Sequence, residues 1–439
     1  MKAIKKNLWR FLAVLLCACA LLCSLPFSAS AEGRLELPAA DDIPAFVLYS
    51  ITGNKILASK NPNGVIYPSA TVKIMSGLLL CEALEARTYE TVTVSREMLY
   101  GVSGRTFGLT VGDTLLLEDL LKIAVCGSYN DAYQALAVIA EGSVEAFVEK
   151  MNKRAESLGA LDTSFANVTG LDDPSALTSA HDVLKISLAA QENSLFMRFS
   201  STYNYEIKLN GKLRIVENRN ALHVGFNEFY NSNAFGLCTG STNLGGNCLG
   251  TKGVYGDAEF LCVVMGAEEN REYGFATALL SYADDNYYAF RLRDKGSYVA
   301  ALPVTLSDGI AEIDLVLAED INILLHRDDP VDDARSFDLV LTKQSLSAPV
   351  EAGTVVGYMA VRSGNSVLAS VPVVTAKGAE ANPFLTLLDS MKAFVTGRVF
   401  IAFVVCAVAL TVLFFVALAI FTELSRKKRR RNYRVTRFR

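Results

Sequence analysis

The stretch Ile66-Tyr67-Pro68-Ser69-Ala70-Thr71-Val72-Lys73-Ile74-Met75 anchors the reading of this chain. Pro68 opens an apolar segment that runs to about Ala86. A proline in a first helical turn, followed by Ile74, Leu78 and the Leu79–Leu84 run, predicts a buried helix. Upstream, apolar Ala45–Ser50 and Lys55–Ala58 flank the turn Thr52-Gly53-Asn54, which predicts a β-hairpin. Downstream, residues 116–160 carry helical periodicity, Asn167–Pro174 is a turn-rich loop and Ser179–Ala190 is a further helix. Residues 203–209 and 213–217 alternate like paired strands around Asn210-Gly211. Phe235–Thr239, Cys248–Val254 and Glu259–Met265 read as strands, and Tyr273–Tyr288 as a closing helix. Strands, helices, strands and a last helix predict an α/β or α+β domain of the catalytic type over residues 32–288.

Beyond about Ala289 the texture changes to short β-type runs separated by turn residues. They are Val299–Leu306, Ile310–Leu317, Ile321–Leu325, Ser336–Leu341, Thr354–Val361 and Val367–Thr375. These predict a small all-β domain over 289–378. Residues 379–398 form a linker in which Phe384, Leu387, Leu388 and Met391 keep helical spacing. This is either an amphipathic segment on a membrane surface or an ordinary stalk.

The two ends are set apart by charge and hydropathy. Mean hydropathy is +0.28 and 51% of residues are hydrophobic, which is too apolar for an ordinary soluble domain and excludes a disordered chain. Lys2, Lys5, Lys6 and Arg10 precede an apolar Phe11–Leu25 run and Ala29-Ser30-Ala31, the pattern of a secretory signal over 1–31. Leu16-Cys17-Ala18-Cys19 fits a lipoprotein signal poorly. Val399–Phe421 is uncharged and, at ~1.5 Å per residue, spans roughly 34 Å, enough to cross a bilayer. Nine Arg and Lys follow it between 426 and 439, so the 422–439 tail is expected in the cytoplasm and the bulk of the chain outside. Between 32 and 398, 29 basic residues face 45 acidic ones. That acidity argues against nucleic acid as a partner. Cys81, Cys126, Cys238, Cys248 and Cys262 are odd in number and scattered, unlike a disulfide framework, and His181, His223 and His326 are isolated, so no metal site is expected.

Several further segments then fall in a recognisable order. They are Gly127-Ser128-Tyr129-Asn130-Asp131-Ala132, Phe165-Ala166-Asn167 with Gly170-Leu171-Asp172, Ser179-Ala180-His181-Asp182, Asn218-Arg219-Asn220 and Gly236-Leu237-Cys238-Thr239-Gly240-Ser241-Thr242. Together with residues 66–75 they resemble the serine-type D-alanyl-D-alanine carboxypeptidases, the low-molecular-mass penicillin-binding proteins of peptidase family S11. The later β segment, including Leu346-Ser347-Ala348-Pro349-Val350, is similar to that family's C-terminal β domain. The resemblance implies a β-lactamase/transpeptidase-like fold, no cofactor, and a peptidoglycan stem peptide ending in D-Ala-D-Ala as the ligand.

The family's chemistry uses a Ser-x-x-Lys nucleophile and base, a Ser-x-Asn triplet, and a Lys-Thr-Gly strand whose cation meets the substrate carboxylate. Lys73, Ser128 and Asn130 stand at matching positions, as do Thr239 and Gly240, with Ser241 and Thr242 following. The nucleophile position is Ala70 and the Lys-Thr-Gly lysine position is Cys238. Ser69 is within helical reach of Lys73. Moving the nucleophile one residue rotates its Cβ by about 100° and shifts it by about 1.5 Å, which attack geometry does not tolerate. Ser69 is therefore expected to be an N-cap or first-turn hydroxyl. Cys238 beside Lys73 is either a thiol of lowered pKa or a small packing residue, and Cys126 could reach it as a disulfide. Three functions stay open: a catalytically impaired protein that binds stem peptides, an active carboxypeptidase using Ser69, or a membrane-tethered interaction module.

Overall fold

The computed structural model describes residues 40–328, 335–364 and 366–435. The expected signal, residues 1–31, lies outside the described residues. The chain divides into two compact units. One comprises residues up to Leu292 with 322–336 and 361–369, and the other 293–321, 337–360 and 370–439.

In the first unit, β1 (Ala45–Ser50) and β2 (Lys55–Lys60) form the expected hairpin. They join β7 (Ala234–Thr242), β8 (Gly246–Tyr255) and β9 (Ala258–Ala267) in an antiparallel sheet of order β2-β1-β9-β8-β7. The first strand among the described residues therefore sits inside the sheet, zipped to β9 by Ala45 opposite Met265 through Ser50 opposite Phe260. Small ladders are made by β3 (Thr91–Thr93) with β4 (Thr114–Leu116), and by β5 (Asn204–Leu209) with β6 (Lys212–Glu217). β5 and β6 turn at Asn210 and Gly211, both at positive φ, as that dipeptide favours.

The helices are α1 (Val72–Leu84), α2 (Leu117–Val125), α3 (Asn130–Glu141), α4 (Val144–Ser157), α5 (Ala180–Gln191), α6 (Ser194–Ser201) and α7 (Arg271–Asn286). α1 is buried nearly all round, which explains why its sequence is apolar without an amphipathic stripe. It runs through the core that holds Tyr133, Phe147, Phe196 and Phe199. The opposite sheet face packs α7 through Phe275, Ala276, Leu279 and Leu280. Ser143, Ser179 and Asn193 cap α4, α5 and α6, satisfying first-turn N–H groups. α6 is absent from the sequence reading; Asn193 is its only punctuation. The closing helix also ends two residues sooner than expected, because Tyr287 starts β10 (Tyr287–Arg293), which pairs with β13 (Ile321–His326). The 321–325 run was expected in the β domain, yet residues from 322 cluster with the first unit.

The second unit is built on a six-stranded sheet of order β14-β16-β17-β12-β11-β15. Its strands are β11 (Tyr298–Thr305), β12 (Glu312–Leu317), β14 (Arg335–Leu341), β15 (Leu346–Ser347), β16 (Val355–Ser363) and β17 (Ser366–Thr375). Ile313, Leu315, Leu317, Val356, Val361 and Val373 are buried along it. After the sheet come α8 (Pro383–Thr396) and α9 (Arg398–Val435). Within α9, Phe400–Arg426 is long and apolar enough to cross a membrane and is wholly unburied. The fold is thus an α/β domain, a β-rich domain and a C-terminal helix that is a candidate membrane span.

Candidate active site

The cleft of the first unit is assembled by six pieces of chain: the turn before α1 with the start of that helix, the loop at Gly104 and Arg105, the α2–α3 junction, the 167–172 loop, the segment at Arg219 and strand β7. Lining it are Ala70, Lys73, Gly104, Arg105, Ser128 and Asn130 from one side, and Thr169–Leu171, Arg219 and Thr239–Thr242 from the other. The space between the walls is ≈ 550 Å³, part of it open to solvent. Of the sequence-predicted site residues, Ala70, Lys73, Ser128, Asn130, Thr239, Gly240, Ser241 and Thr242 therefore converge. Ser69 and Cys238 are not among the lining side chains.

The floor is made by a short 3-10 turn, Ser69–Thr71, that leads into α1. The Ala70 methyl faces β7 closely: a Cβ on Gly240 would fall 2.7 Å from it, so only glycine lets the strand approach. On the other side a Cβ on Gly170, which has φ +77°, would fall 2.0 Å from the Ser69 carbonyl oxygen. The 167–172 loop is thereby pressed onto the floor, and Asn167 Oδ1 holds it by accepting from Thr169 N and Gly170 N.

Of the two roles expected for Ser69, it keeps that of a first-turn hydroxyl and loses that of an N-cap. It sits at φ +47°, and neither the 3-10 turn nor α1 has a side-chain cap. Its hydroxyl donates to the Gly246 carbonyl at 3.2 Å. It is a cross-brace to the β7–β8 turn, not an N-cap.

Lys73 points into the cleft but is only 5% exposed. Its Nζ donates to Ser128 O at 2.8 Å and to Ser128 Oγ at 3.0 Å, and lies 5.4 Å from the centre of the Tyr133 ring. Burial lowers its pKa to about 8, with Arg105 and Arg219 adding to the effect, because a cation is costly to keep dry. Ser128 takes φ +57°, a backbone state that costs a non-glycine residue about 1–3 kcal/mol and tends to mark functional positions. Asn130 opens α3. Its Nδ2 donates to Ser103 O at 2.9 Å, while its buried Oδ1 accepts nothing within the protein. An orphan buried acceptor needs an explanation, and an incoming N–H would satisfy it. The neighbouring Asp131 carboxylate accepts from Phe107 N, Gly108 N and Leu109 N, which pins the loop carrying Arg105.

Cys238 corrects one of the two readings offered for it. Its Sγ donates to Ala70 O at 3.3 Å, and burial pushes its pKa up to about 11 despite the pull of Lys73 and Arg219. The thiol is a packing residue, not an activated nucleophile. Nor is there a disulfide: Cys126 and Cys238 are both free, and Cys126 Sγ is directed at Thr202 O and Val216 O. Thr239 turns its hydroxyl inward, donating to Cys248 O and sharing a hydrogen bond with Tyr273 Oη.

Arg105 and Arg219 were missed as site residues. Both are exposed and line the rim. Arg219 gets there because Asn218 Nδ2 donates to Ser200 O and Thr202 O while Arg219 N donates to Cys126 O. The Asn-Arg-Asn triplet was the available signal, but its role rests on contacts that sequence spacing does not show. Among the described residues no Asp or Glu lines the cleft and no cluster suited to a metal occurs. Lys73, Arg105 and Arg219 therefore make an electropositive cleft in an acidic protein.

Comparison with known proteins bears on the family and the fold. Residues 36–269 match the D-alanyl-D-alanine carboxypeptidase family model, and 287–381 match that of the penicillin-binding protein 5 C-terminal domain. The chain is 29% identical to the D-alanyl-D-alanine carboxypeptidase DacF of Bacillus subtilis over 384 residues, covering 86% of this chain and 97% of the relative. It is 27% identical to DacC of Escherichia coli, covering 82% and 89%. Among solved structures, the peptidoglycan synthesis regulatory factor PBP3 of Streptococcus pneumoniae superimposes with a TM-score of 0.64 at 20% identity, covering 77% of this chain and 99% of that one. Penicillin-binding protein 5 of Haemophilus influenzae gives a TM-score of 0.58 at 24% identity, covering 77% and 98%.

Proposed function

This chain belongs to the D-alanyl-D-alanine carboxypeptidase family, peptidase S11, and from that premise we propose that it binds peptidoglycan stem peptides without turning them over. The observation that carries this reading is the content of the cleft. Lys73, Ser128, Asn130 and two arginines surround the place where the family's attacking oxygen belongs, and that place holds the methyl of Ala70. The family reaction forms an acyl-serine and passes the serine proton to the lysine. Ala70 supplies neither oxygen nor proton. Binding needs less. A D-Ala-D-Ala end presents a carboxylate, which a cleft must pair with a cation to offset its desolvation, and an amide N–H, which Asn130 Oδ1 lacks. In this reading Arg219 and Lys73 supply the charge that Cys238 does not. The Ser69 hydroxyl, committed to Gly246, takes no part, and nothing in the cleft favours a purely vestigial role.

Calorimetric titration with a diacetyl-Lys-D-Ala-D-Ala peptide tests the reading. Saturable binding is expected with no D-alanine released, and Arg219→Ala should weaken it roughly 10- to 150-fold, the range for one charge-assisted contact of ~1.5–3 kcal/mol. Lys73 is protonated below its pKa of about 8, so affinity should be full near pH 7 and fall as pH rises through that value. Absence of binding at millimolar peptide would refute the proposal.

For the rest of the chain we propose removal of residues 1–31, a catalytic-type domain over 32–288, a β domain over 289–378, a span over 399–421 and a cytoplasmic tail over 422–439. The basic residues after the span orient it. Protease added to intact cells should digest the ectodomain and spare the tail. Digestion of the tail alone would reverse the topology.

A further inference from the structure

The cleft holds a cation that the terminal carboxylate of a stem peptide leaves over. In the proposed binding mode that carboxylate meets Arg219 and Lys73. Arg105 lines the same cleft and is exposed, and among the described residues no carboxylate lies within ion-pair reach of it. Asp131, the acid that braces its loop, spends its carboxylate on the backbone N–H groups of Phe107, Gly108 and Leu109.

The Arg105 side chain is held in place in advance. Its Nε donates to Gly127 O at 3.2 Å, and its guanidinium lies over the Tyr129 ring, 4.4 Å from the ring centre. Tyr129 is fixed in turn by the Phe107 ring, which meets it edge-on at 5.3 Å. A guanidinium stacked on a ring and bonded through Nε keeps its terminal N–H groups for a ligand. Such a fork matches the two oxygens of a carboxylate, and ordering it beforehand cuts the entropy cost of binding. The backbone carries Arg105 up against Asn130: Asn130 N donates to Arg105 O at 2.8 Å, and a Cβ on Gly104 would fall 2.7 Å from Asn130 Nδ2. Arg105 is thus next to the amide whose buried Oδ1 lacks a donor.

That adjacency sets which part of a ligand Arg105 meets. The N–H that satisfies Asn130 Oδ1 belongs to the peptide backbone upstream of the terminal carboxylate. The side chain of the residue before D-Ala-D-Ala starts roughly 7 Å further up an extended chain, two residues from the end. Charge then decides what that side chain carries. Lys73, Arg105 and Arg219 face no acid in the cleft. An ammonium there adds a fourth cation with nothing to offset it, whereas a second carboxylate gains a partner.

We propose that Arg105 is a specificity-determining residue. It selects stem peptides with a carboxylate on the side chain of the residue before D-Ala-D-Ala over those with only an ammonium there. The proposal rests on the reading that the cleft binds stem peptides.

Calorimetric titration of the full-length chain with three synthetic pentapeptides tests it. All three share L-Ala, D-isoglutamine and D-Ala-D-Ala, so only the third residue differs: meso-diaminopimelate, diaminopimelate with its side-chain carboxylate converted to the carboxamide, or lysine. The diaminopimelate peptide is expected to bind about five-fold tighter than the other two, the upper range for an ion pair on an exposed rim. The carboxamide matches it in size, so the difference isolates the charge. Arg105→Gln should remove the preference. Arg105→Lys should retain a smaller one, because the cation stays while the planar fork is lost. Equal affinities of the unsubstituted chain for the three peptides would overturn the proposal. A preference that survives Arg105→Gln would overturn it too, since the second carboxylate then binds elsewhere. If none of the three binds at millimolar concentration, the stem-peptide reading of the cleft fails and this proposal fails with it.

Discussion

Full-length protein incubated with benzylpenicillin is expected to keep its intact mass, with no adduct of one β-lactam. A β-lactam reports on the first half of the family reaction, because it needs only a nucleophilic oxygen, a base and an oxyanion site. This cleft retains a base: Lys73, dried by burial to a pKa of about 8, is neutral often enough near pH 7 to accept a proton. It lacks the oxygen. Acylation should be undetectable over hours here. Two hydroxyls near the missing group give the experiment its force. Ser69 lies one residue away but is braced to Gly246, and Ser128 touches Lys73 Nζ at 3.0 Å. A mass shift mapped by peptide digestion to Ser69 would reinstate the shifted-nucleophile enzyme. One mapped to Ser128 would show the Lys73–Ser128 pair acting alone. Either ends the non-catalytic reading.

What the sequence revealed and what it hid follow from the range of the interactions involved. Most of the element order along residues 45–286, though not α6 or the β3–β4 ladder, was legible because it depends on local patterning: the hairpin around Gly53, the apolar run after Pro68 and the Asn210-Gly211 turn. The fate of Ser69 was not. Its backbone φ and its bond to Gly246 are set by a partner 177 residues away. Cys238 was ambiguous for a similar reason. Proximity to Lys73 argues for a thiolate and burial argues against one, and only packing against Ala70 O decides that burial wins. Arg219 needed the amide of Asn218 tied to two distant carbonyls. α8 had a readable apolar period, but period alone does not separate a face buried on a domain from one left bare.

The double substitution Ala70→Ser/Cys238→Lys is expected to restore D-alanine release from diacetyl-Lys-D-Ala-D-Ala far beyond either single change. Ala70→Ser returns the attacking oxygen to the floor of a cleft that already holds Lys73, Ser128 and Asn130. The substrate carboxylate still lacks the cation of the Lys-Thr-Gly strand, and losing one such charge-assisted contact costs about 1.5–3 kcal/mol, or roughly 10- to 150-fold in kcat/KM. Cys238→Lys alone returns the cation without an oxygen and should release nothing. It also places a second ammonium near Lys73, where no acid lines the wall. Like charge lowers the Lys73 pKa further, which makes Lys73 a better base at neutral pH once Ala70→Ser has supplied a hydroxyl to deprotonate. The two changes act on one transition state through different groups, so the lysine should raise activity only where the serine is present. The measurement compares kcat/KM of the double variant with that of Ala70→Ser, with thermal unfolding of each variant to show that the buried lysine is tolerated. A folded double variant that still forms no acyl-enzyme would mean the cleft has drifted beyond these two positions. A double variant no faster than Ala70→Ser would mean that Arg219 already binds the carboxylate and that the lysine of the strand is dispensable here.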